Sequence, residues 1–134
     1  MQVGGVSDVW LSFMNEFELI RRKYRQIRRN LSKDQQFLHS RRIVPLSRQV
    51  GWLWRARRIG VYSAVAGELD LQSLIVQLSK AGKHVYLPIV LRKRRILRFA
   101  ESSPRSIVKL NRYGILEPVV AARSSKQARQ LDVL

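Results

Sequence analysis

One acidic residue, Glu68, lies at a position where small-molecule sites are common. It follows a short β-prone run at residues 59–62 and precedes apolar residues spaced like a helix from Leu71 to Leu78. Loops that leave the carboxyl ends of strands in open parallel sheets form the crevice in which ligands bind. The residues alone also allow a simpler role, in which Glu68 stabilises the positive N-terminus of the helix, and they favour this simpler role.

A second candidate group lies on the first predicted helix, where arginines oppose an apolar face. Guanidinium groups bind phosphate oxygens in bidentate fashion, and Arg21 and Arg25 are one helical turn apart. This pattern indicates a phosphate site or, more simply, a solvated basic face. The apolar face consists of Phe17, Ile20, Tyr24, Ile27 and Leu31.

Several other chemistries find no support in the sequence. The chain has no cysteine, which excludes disulfides, thiolate catalysis and cysteine-based zinc sites. His39 and His84 are isolated, and no catalytic or metal-ligating residue is predicted. Trp52 and Trp54 lie among arginines; they could stack on single-stranded bases, but we favour a core anchor with the arginines reaching outward.

The helices that position these residues have recognisable starts. Asn15 and Glu18 predict the start of the first helix. We expect Met14 to be the natural start, with residues 1–13 added before it, and we place the domain at 17–134, which leaves residues 1–16 as its N-terminal extension. Ser32 and Gln35 form a capping-box pattern that opens a second helix. That helix should place Phe37, Leu38 and Ile43 inward and should kink or end at Pro45. A further short helix is expected within residues 46–58.

The clearest unit in the sequence is strand–helix–strand. The strand at 59–62 leads through a turn to a helix with Asp70 as its N-cap, and Gly82 ends that helix. Residues 85–90 are apolar enough for a buried strand, so the two strands should be parallel.

The remainder of the sequence is less regular. Residues 92–95 form a charged turn, 96–99 an edge strand and 101–126 mostly loop, punctuated by Pro104, Gly114 and Pro118. Residues 131–134 have the pattern of the opening of another buried strand, and we expect the domain to have lost its continuation there.

The excess of basic over acidic residues increases the number of molecules that the chain could bind. With 26 Lys and Arg against 9 acidic residues, the net charge is +17, which attracts polyanions such as nucleic acid. No apolar run reaches the length of a membrane-spanning helix, and no membrane partner is expected. A cytoplasmic location is the default expectation.

Three stretches of the chain resemble the 5-formyltetrahydrofolate cyclo-ligase family, also called methenyltetrahydrofolate synthetase. The first is IRRKYR at 20–25 with RR at 28–29 and LS at 31–32. The second comprises VY at 61–62, GELD at 67–70, LI at 74–75, AGK at 81–83 and VYLP at 85–88. The third is LRF at 97–99 and NRYGILEP at 111–118. Residues 17–134 are thus similar to the N-terminal two-thirds of the family's domain.

The resemblance implies a fold and a chemistry. The fold is a three-layer α/β/α domain with a mostly parallel sheet, incomplete at the C-terminus. Family members use ATP and Mg²⁺ to phosphorylate the formyl oxygen of 5-formyltetrahydrofolate and close the ring to 5,10-methenyltetrahydrofolate. By position, Arg21 and Arg25 match ATP contacts, Glu68 matches the acidic residue that holds the folate, and Tyr113 matches an aromatic position of the folate pocket.

The departures from the family pattern bear on activity. The family's later R-x-G-x-G-x-G-Y-Y-D phosphate loop and its expected acidic metal ligands do not occur in these 134 residues. Ser63 and Ala64 also replace residues that are usually apolar or small. Since phosphoryl transfer depends on positioning and charge stabilisation, we expect this chain to be weak or inactive.

Two other hypotheses remain open from the sequence. The chain could be a basic nucleic-acid-binding module on a remnant of the enzyme fold, with affinity that falls steeply with salt. It could also be a decayed frame without independent function, whose open strand edge favours aggregation. The sequence leaves the oligomeric state undetermined.

Overall fold

In a computed structural model that describes residues 6–91, 96–103 and 105–134, the chain forms four α-helices and five β-strands. Two short 3₁₀ turns follow, at residues 122–124 and 128–130. The helices are α1 (Val6–Arg29), α2 (Lys33–Ser47), α3 (Gly51–Arg55) and α4 (Gln72–Lys80). The strands are β1 (Arg58–Gly60), β2 (His84–Leu91), β3 (Ile96–Ser102), β4 (Val108–Leu110) and β5 (Leu116–Pro118).

The main sheet has the order β1–β2–β3 in the described residues. β1 and β2 are parallel, with Ile59 opposite Val85, and α4 connects them, which confirms the predicted strand–helix–strand unit. β2 and β3 are antiparallel, with Leu87 opposite Ala100. The α/β class is therefore confirmed, and the sheet is mixed, with one parallel and one antiparallel pair.

The last residues of the chain extend the sheet beside β1. Val133 forms a parallel bridge with Ile59, and its carbonyl oxygen accepts the Gly60 amide at 2.8 Å, which confirms β pairing at this end of the chain. The segment 131–134 is not the buried strand that its apolar pattern predicted, because Leu134 is 71% exposed. The Asp132 carboxylate accepts the amides of Arg57 and Arg58 at 2.9 and 2.8 Å and the Arg58 guanidinium at 2.9 Å. These bonds, the Arg58 amide foremost, lower the pKa of Asp132 to about 2.

The core lies between α4 and the parallel strand pair. Leu78 is completely buried, and Ile59 and Val85 are almost so. From α2 and α3, Ile43, Val44, Leu53 and Trp54 pack against this cluster. Trp54 is therefore a core anchor as predicted, and its indole nitrogen donates to the Ser47 carbonyl at 2.9 Å. The same prediction is wrong for Trp52, which is 59% exposed.

Helix α2 uses a different face from the one predicted. Its capping box at Ser32 and Gln35 is present. Ser40 and Ser47 are buried, Ile43 packs on the core, and Phe37 and Leu38 are 61% and 56% exposed, so the predicted inward position of these two is wrong. Residues 40, 43 and 47 share one side of a helix, and this side, rather than the one with the largest apolar residues, meets α4.

Three predicted boundaries also differ. Helix α1 begins at Val6, so Asn15 is a helical residue and not a cap; residues 6–29 contain no Gly or Pro that would stop the helix. The N-cap of α4 is Leu71, although the Asp70 carboxylate accepts the Gln72 amide at 2.9 Å. Helix α2 passes Pro45 and ends at Ser47, within the same turn.

The segment 101–126, predicted as mostly loop, contains an antiparallel hairpin. β4 and β5 pair with Lys109 opposite Glu117, around a turn that ends at Gly114 with a φ of 74°. The charged turn at 92–95 and Pro104 lie outside the described residues. In the described part of the chain, no helix is long and apolar enough to cross a membrane.

Candidate functional site

A cleft of about 650 Å³, called here the loop cleft, lies beside the segment that joins β1 to α4. Its walls come from this segment, from the end of β3 and from the β4–β5 hairpin. The sequence placed Glu68 in the same segment, after the carboxyl end of a strand. The lining residues include Tyr62, Ser63, Glu68, Gln72, Ser102, Ser103, Ser106 and Leu116.

Hydrogen bonds fix the β1–α4 segment at both ends. The Tyr62 hydroxyl donates to the Leu69 carbonyl at 3.0 Å, which closes the segment on itself. Ser63 Oγ donates to the Leu116 carbonyl at 3.0 Å and so joins the segment to the hairpin. The Asp70 amide donates to Ser40 Oγ at 3.1 Å, which ties the far end to α2. The cleft wall is therefore closed by one internal hydrogen bond and held by two other parts of the fold, the hairpin and α2.

Glu68 lies within this wall, with its side chain 31% exposed. One carboxylate oxygen, Oε2, accepts the Val65 amide at 3.1 Å and stabilises the turn. The other, Oε1, is 3.9 Å from Arg28 Nη1, at the outer limit of an ion pair. Because a carboxylate has about four acceptor positions, Glu68 keeps capacity for ligand N–H or O–H donors.

The turn before Glu68 explains how α1 reaches this site. Ala66 and Gly67 have φ values of 49° and 80°, in the left-handed region that favours glycine. A Cβ atom on Gly67 would lie 2.9 Å from the Arg28 carbonyl oxygen. Only glycine lets the end of α1 approach the turn so closely.

Arg28 belongs to the site although the sequence did not single it out. With Arg21 and Arg25 it forms a line on α1, at spacings of four and three, called here the arginine stripe. Its Nε atom is buried without a hydrogen-bond partner. Arg28 also lines a second cavity of about 330 Å³, together with Gln36, His39 and Glu68. The spacing of four and three residues along α1 was the sequence signal that could have identified Arg28.

The other predicted site residues lie at different distances from the cleft. Arg21 and Arg25 are exposed on α1, two turns and one turn before Arg28, respectively. Tyr113 is 58% exposed at the hairpin turn, where the Arg112 guanidinium lies 4.6 Å from the centre of its ring. Gly114, its neighbour, lines the cleft, but Tyr113 does not. The structure thus brings Glu68 to the cleft wall and leaves Tyr113 outside it.

Tyr62 is a cleft residue that sequence analysis missed. Partial burial raises the pKa of its hydroxyl, and the negative charge of Glu68 acts in the same direction. The hydroxyl therefore stays protonated at neutral pH and acts as a donor. The position directly after a short strand was the only sequence signal.

The described residues form no preformed cage for a metal ion. Within them, no group of three or more His, Asp or Glu side chains could hold one. Mg²⁺ that binds with a nucleotide is usually held by one or two carboxylates together with phosphate oxygens and waters. His84 lies 2.7 Å from Glu101 at the surface, and neither residue lines the loop cleft. The unpartnered Arg28 Nε and the arginine stripe do match a phosphate group.

Fold and cleft together define a mixed α/β protein with a ligand cleft after the carboxyl end of a sheet strand. Residues 14–134 match the 5-formyltetrahydrofolate cyclo-ligase family, and the chain belongs to that family. The 5-formyltetrahydrofolate cyclo-ligase of Escherichia coli K12 is 40% identical over 80 residues, which cover 59% of this chain and 44% of the relative. The Haemophilus influenzae cyclo-ligase is 29% identical over 116 residues, covering 86% and 62%.

Solved structures with a similar fold are found among methenyltetrahydrofolate synthetases. The 5,10-methenyltetrahydrofolate synthetase of Aquifex aeolicus matches 85% of this chain and 56% of its own, with a TM-score of 0.71 and 22% identity. The synthetase of Mycoplasma pneumoniae gives a TM-score of 0.52 at 17% identity, over 63% and 52% of the two chains. These identities show the fold alone. The chain spans about half the length of the relatives that it matches.

Proposed function

We propose that the chain takes part in the ATP-dependent conversion of 5-formyltetrahydrofolate to 5,10-methenyltetrahydrofolate. The observation that carries the proposal is Glu68 on the wall of the loop cleft. It stands in the GELD segment of a strand–helix–strand unit whose sequence resembles that of the family. The relatives that bear the cyclo-ligase name are enzymes of this reaction class.

The folate binds in the loop cleft in this proposal. Glu68 accepts hydrogen bonds from the N–H groups of the folate ring, while its Oε2 keeps the bond to the Val65 amide. Cleft serines such as Ser102 supply hydroxyl donors to the carbonyl oxygens of the substrate, while the Tyr62 hydroxyl, whose proton is donated to the Leu69 carbonyl, keeps an acceptor position for a substrate N–H. Tyr113 stacks at the mouth of the cleft, beside Gly114. Each of these groups orients the substrate and excludes water.

The arginine stripe holds the phosphates of ATP. Arg28 reaches Glu68, so the stripe begins at the folate and continues along α1 through Arg25 to Arg21. ATP, when bound, supplies the phosphoryl group that activates the formyl oxygen. The guanidinium groups position and neutralise the phosphates, which is the protein's main contribution in this class of reaction. The described residues contain no group of three metal-ligating side chains, and no step is assigned to Mg²⁺.

The 134 residues by themselves should turn over slowly or not at all. The glycine-rich phosphate loop expected from the family resemblance does not occur among them. Substrate binding and turnover are therefore separable, and binding is the property to measure. Rates typical of enzymes from this chain would contradict the proposed weakness and leave the substrate assignment intact.

Thermal unfolding with and without 5-formyltetrahydrofolate tests the substrate assignment. We expect the ligand to raise the melting temperature of the chain, because ligands that bind only the folded state stabilise it. Glu68→Gln should abolish most of this shift, while Glu18→Gln, on the exposed surface of α1, should keep it. A shift that is absent, or equal in both variants, would refute folate binding through Glu68.

Nucleic-acid binding is a second candidate that rests on the charge of +17. Trp52 is 59% exposed and available for stacking, whereas Trp54 packs against the core. RNA affinity measured against salt separates the two functions, since counterion release gives a steep loss. Folate binding depends on Glu68 and should respond much less to salt.

A further inference from the structure

The longest helix of the protein carries an apolar face that the described residues leave uncovered. Five large side chains of α1 are between 43% and 61% exposed. No comparable set of exposed side chains lies on α4, which faces the core. The five residues, called here the α1 seam, are Phe13, Phe17, Ile20, Tyr24 and Ile27.

The residues of the α1 seam have the spacing of a coiled-coil interface. Its residues follow one another at intervals of four, three, four and three, which is a seven-residue repeat. In the sequence the same intervals continue back to Trp10 and Val6 and forward to Leu31. A strict repeat of this kind produces two-helix supercoils, in which each side chain inserts between those of the facing helix. An ordinary surface helix carries a broader apolar stripe.

We propose that α1 pairs with α1 of a second copy of this chain, and that the two helices run antiparallel. The direction follows from the charges of the helix. Residues 6–19 contain three acidic and no basic residues, whereas residues 20–29 contain six basic and no acidic residues. An antiparallel pair places each acidic half against a basic half. A parallel pair places the two basic halves together.

The register that this symmetry requires is consistent over the centre of the seam. A two-fold axis between Glu18 and Leu19 places Phe17 opposite the partner's Ile20 and Phe13 opposite the partner's Tyr24. Four of the five seam residues thus meet another seam residue, on a helix about 36 Å long.

The residues that flank the seam support the same direction. In the antiparallel pair, Glu16 lies beside the partner's Lys23, and the two-fold axis repeats this contact. In a parallel pair, Glu16 would lie beside the partner's Arg21, but Lys23 would lie beside the partner's Arg28, with like charges in contact. Opposite charges at flanking positions set the orientation of helix pairs. Arg25 of the arginine stripe lies off the seam, so the pairing does not depend on the proposed function.

Sedimentation equilibrium of the purified chain, without folate or ATP, tests the proposal. We expect a monomer–dimer equilibrium that Phe17→Glu weakens by about 30-fold or more, as for a central interface residue. Leu19→Glu is the matched control, because Leu19 is 66% exposed but lies off the seam. It should leave the dissociation constant within about threefold, as for residues outside the centre of an interface. Circular dichroism verifies that both variants keep their helix.

Charge substitutions test the direction of the pair. Lys23→Glu should weaken an antiparallel dimer by about three- to tenfold, because Glu16 would face a like charge. The double substitution Glu16→Lys with Lys23→Glu should restore it. A dimer that Lys23→Glu strengthens is parallel and overturns the proposed direction. A chain that stays monomeric, including one that binds only phosphatidylserine vesicles, overturns the pairing itself, as does an equal effect of Phe17→Glu and Leu19→Glu.

Discussion

Helix α1 and the unit β1–α4–β2 both carry regularly spaced apolar side chains but use them differently. In the strand–helix–strand unit, Ile59, Leu78 and Val85 meet one another and are almost completely buried. On α1, Phe17 and Tyr24 have equally regular spacing and are about 60% exposed. Periodicity therefore identifies which face of an element is apolar. It does not identify the surface that covers this face.

The contact between the two regions is narrow. The end of α1 meets the cleft wall where Arg28 lies next to Gly67 and Glu68. The site proposed for folate and phosphate lies at this contact. The geometry of the site depends on one side on the well-packed strand–helix–strand unit. On the other side it depends on α1, which meets this unit near its C-terminal end.

The largest expected effect is that of Leu78→Ala in the core unit. Leu78 is completely buried, so the substitution removes methyl groups and leaves a cavity, and it should lower the free energy of unfolding by about 2–5 kcal/mol. Ile20→Ala on α1 should change it by less than about 0.5 kcal/mol. Urea unfolding at low protein concentration measures both. Equal losses would mean that α1 is covered in solution and would break the comparison.

A smaller effect is expected from Gly67→Ala, which acts on the contact between the regions. The new Cβ would meet the Arg28 carbonyl oxygen, and alanine disfavours a φ of 80°, so the cost should be about 1–3 kcal/mol. Gly51→Ala is the control, since a Cβ there has open space and lies in a helix. It should be neutral or stabilising by up to about 1 kcal/mol. Chemical denaturation of both variants distinguishes a local clash from a general intolerance of substitution.

The smallest effect is that of Asp132→Asn at the edge of the core unit. The pKa of Asp132 in the folded state is about 2, below its ordinary value of 3.8. The charged carboxylate therefore stabilises the fold above pH 3.8, and this contribution is lost as the pH falls through 2. The melting temperatures of the two proteins should differ at pH 6 and converge near pH 2. A difference that persists unchanged at pH 2 would argue against the ionised carboxylate as its source.

Much of the fold followed from local patterns. The spacing of Leu74 and Leu78, the stop at Gly82 and the apolar run after it predicted α4 and β2, because each signal acts within one element. The hairpin β4–β5 was missed. Its strands are three residues long, and Glu117, buried within β5, is held by the Val90 amide and by Asn111 rather than by an alternating apolar pattern. Such contacts between distant residues leave no local signature.

For the candidate site too, the sequence allowed some residues to be predicted and not others. Glu68 could be located because a carboxylate between a strand and a helix has a defined place in an open sheet. Arg28 and Tyr62 could not be ranked above their neighbours, since Arg29 and Tyr86 have the same chemistry. The structure identifies Arg28 by its ion-pair distance of 3.9 Å to Glu68, and Tyr62 by its hydrogen bond to the Leu69 carbonyl.

The sequence by itself determined the strand–helix–strand unit, the capping box at Ser32, the apolar repeat of α1 and the family resemblance. Each of these depends on residues within about one helical turn of each other or on their linear order. The tertiary structure decided that Phe37 and Leu38 face outward, that α1 leaves its seam uncovered and that Tyr113 lies outside the cleft. The physical reason is that burial belongs to a pair of surfaces, and one surface alone does not specify its partner.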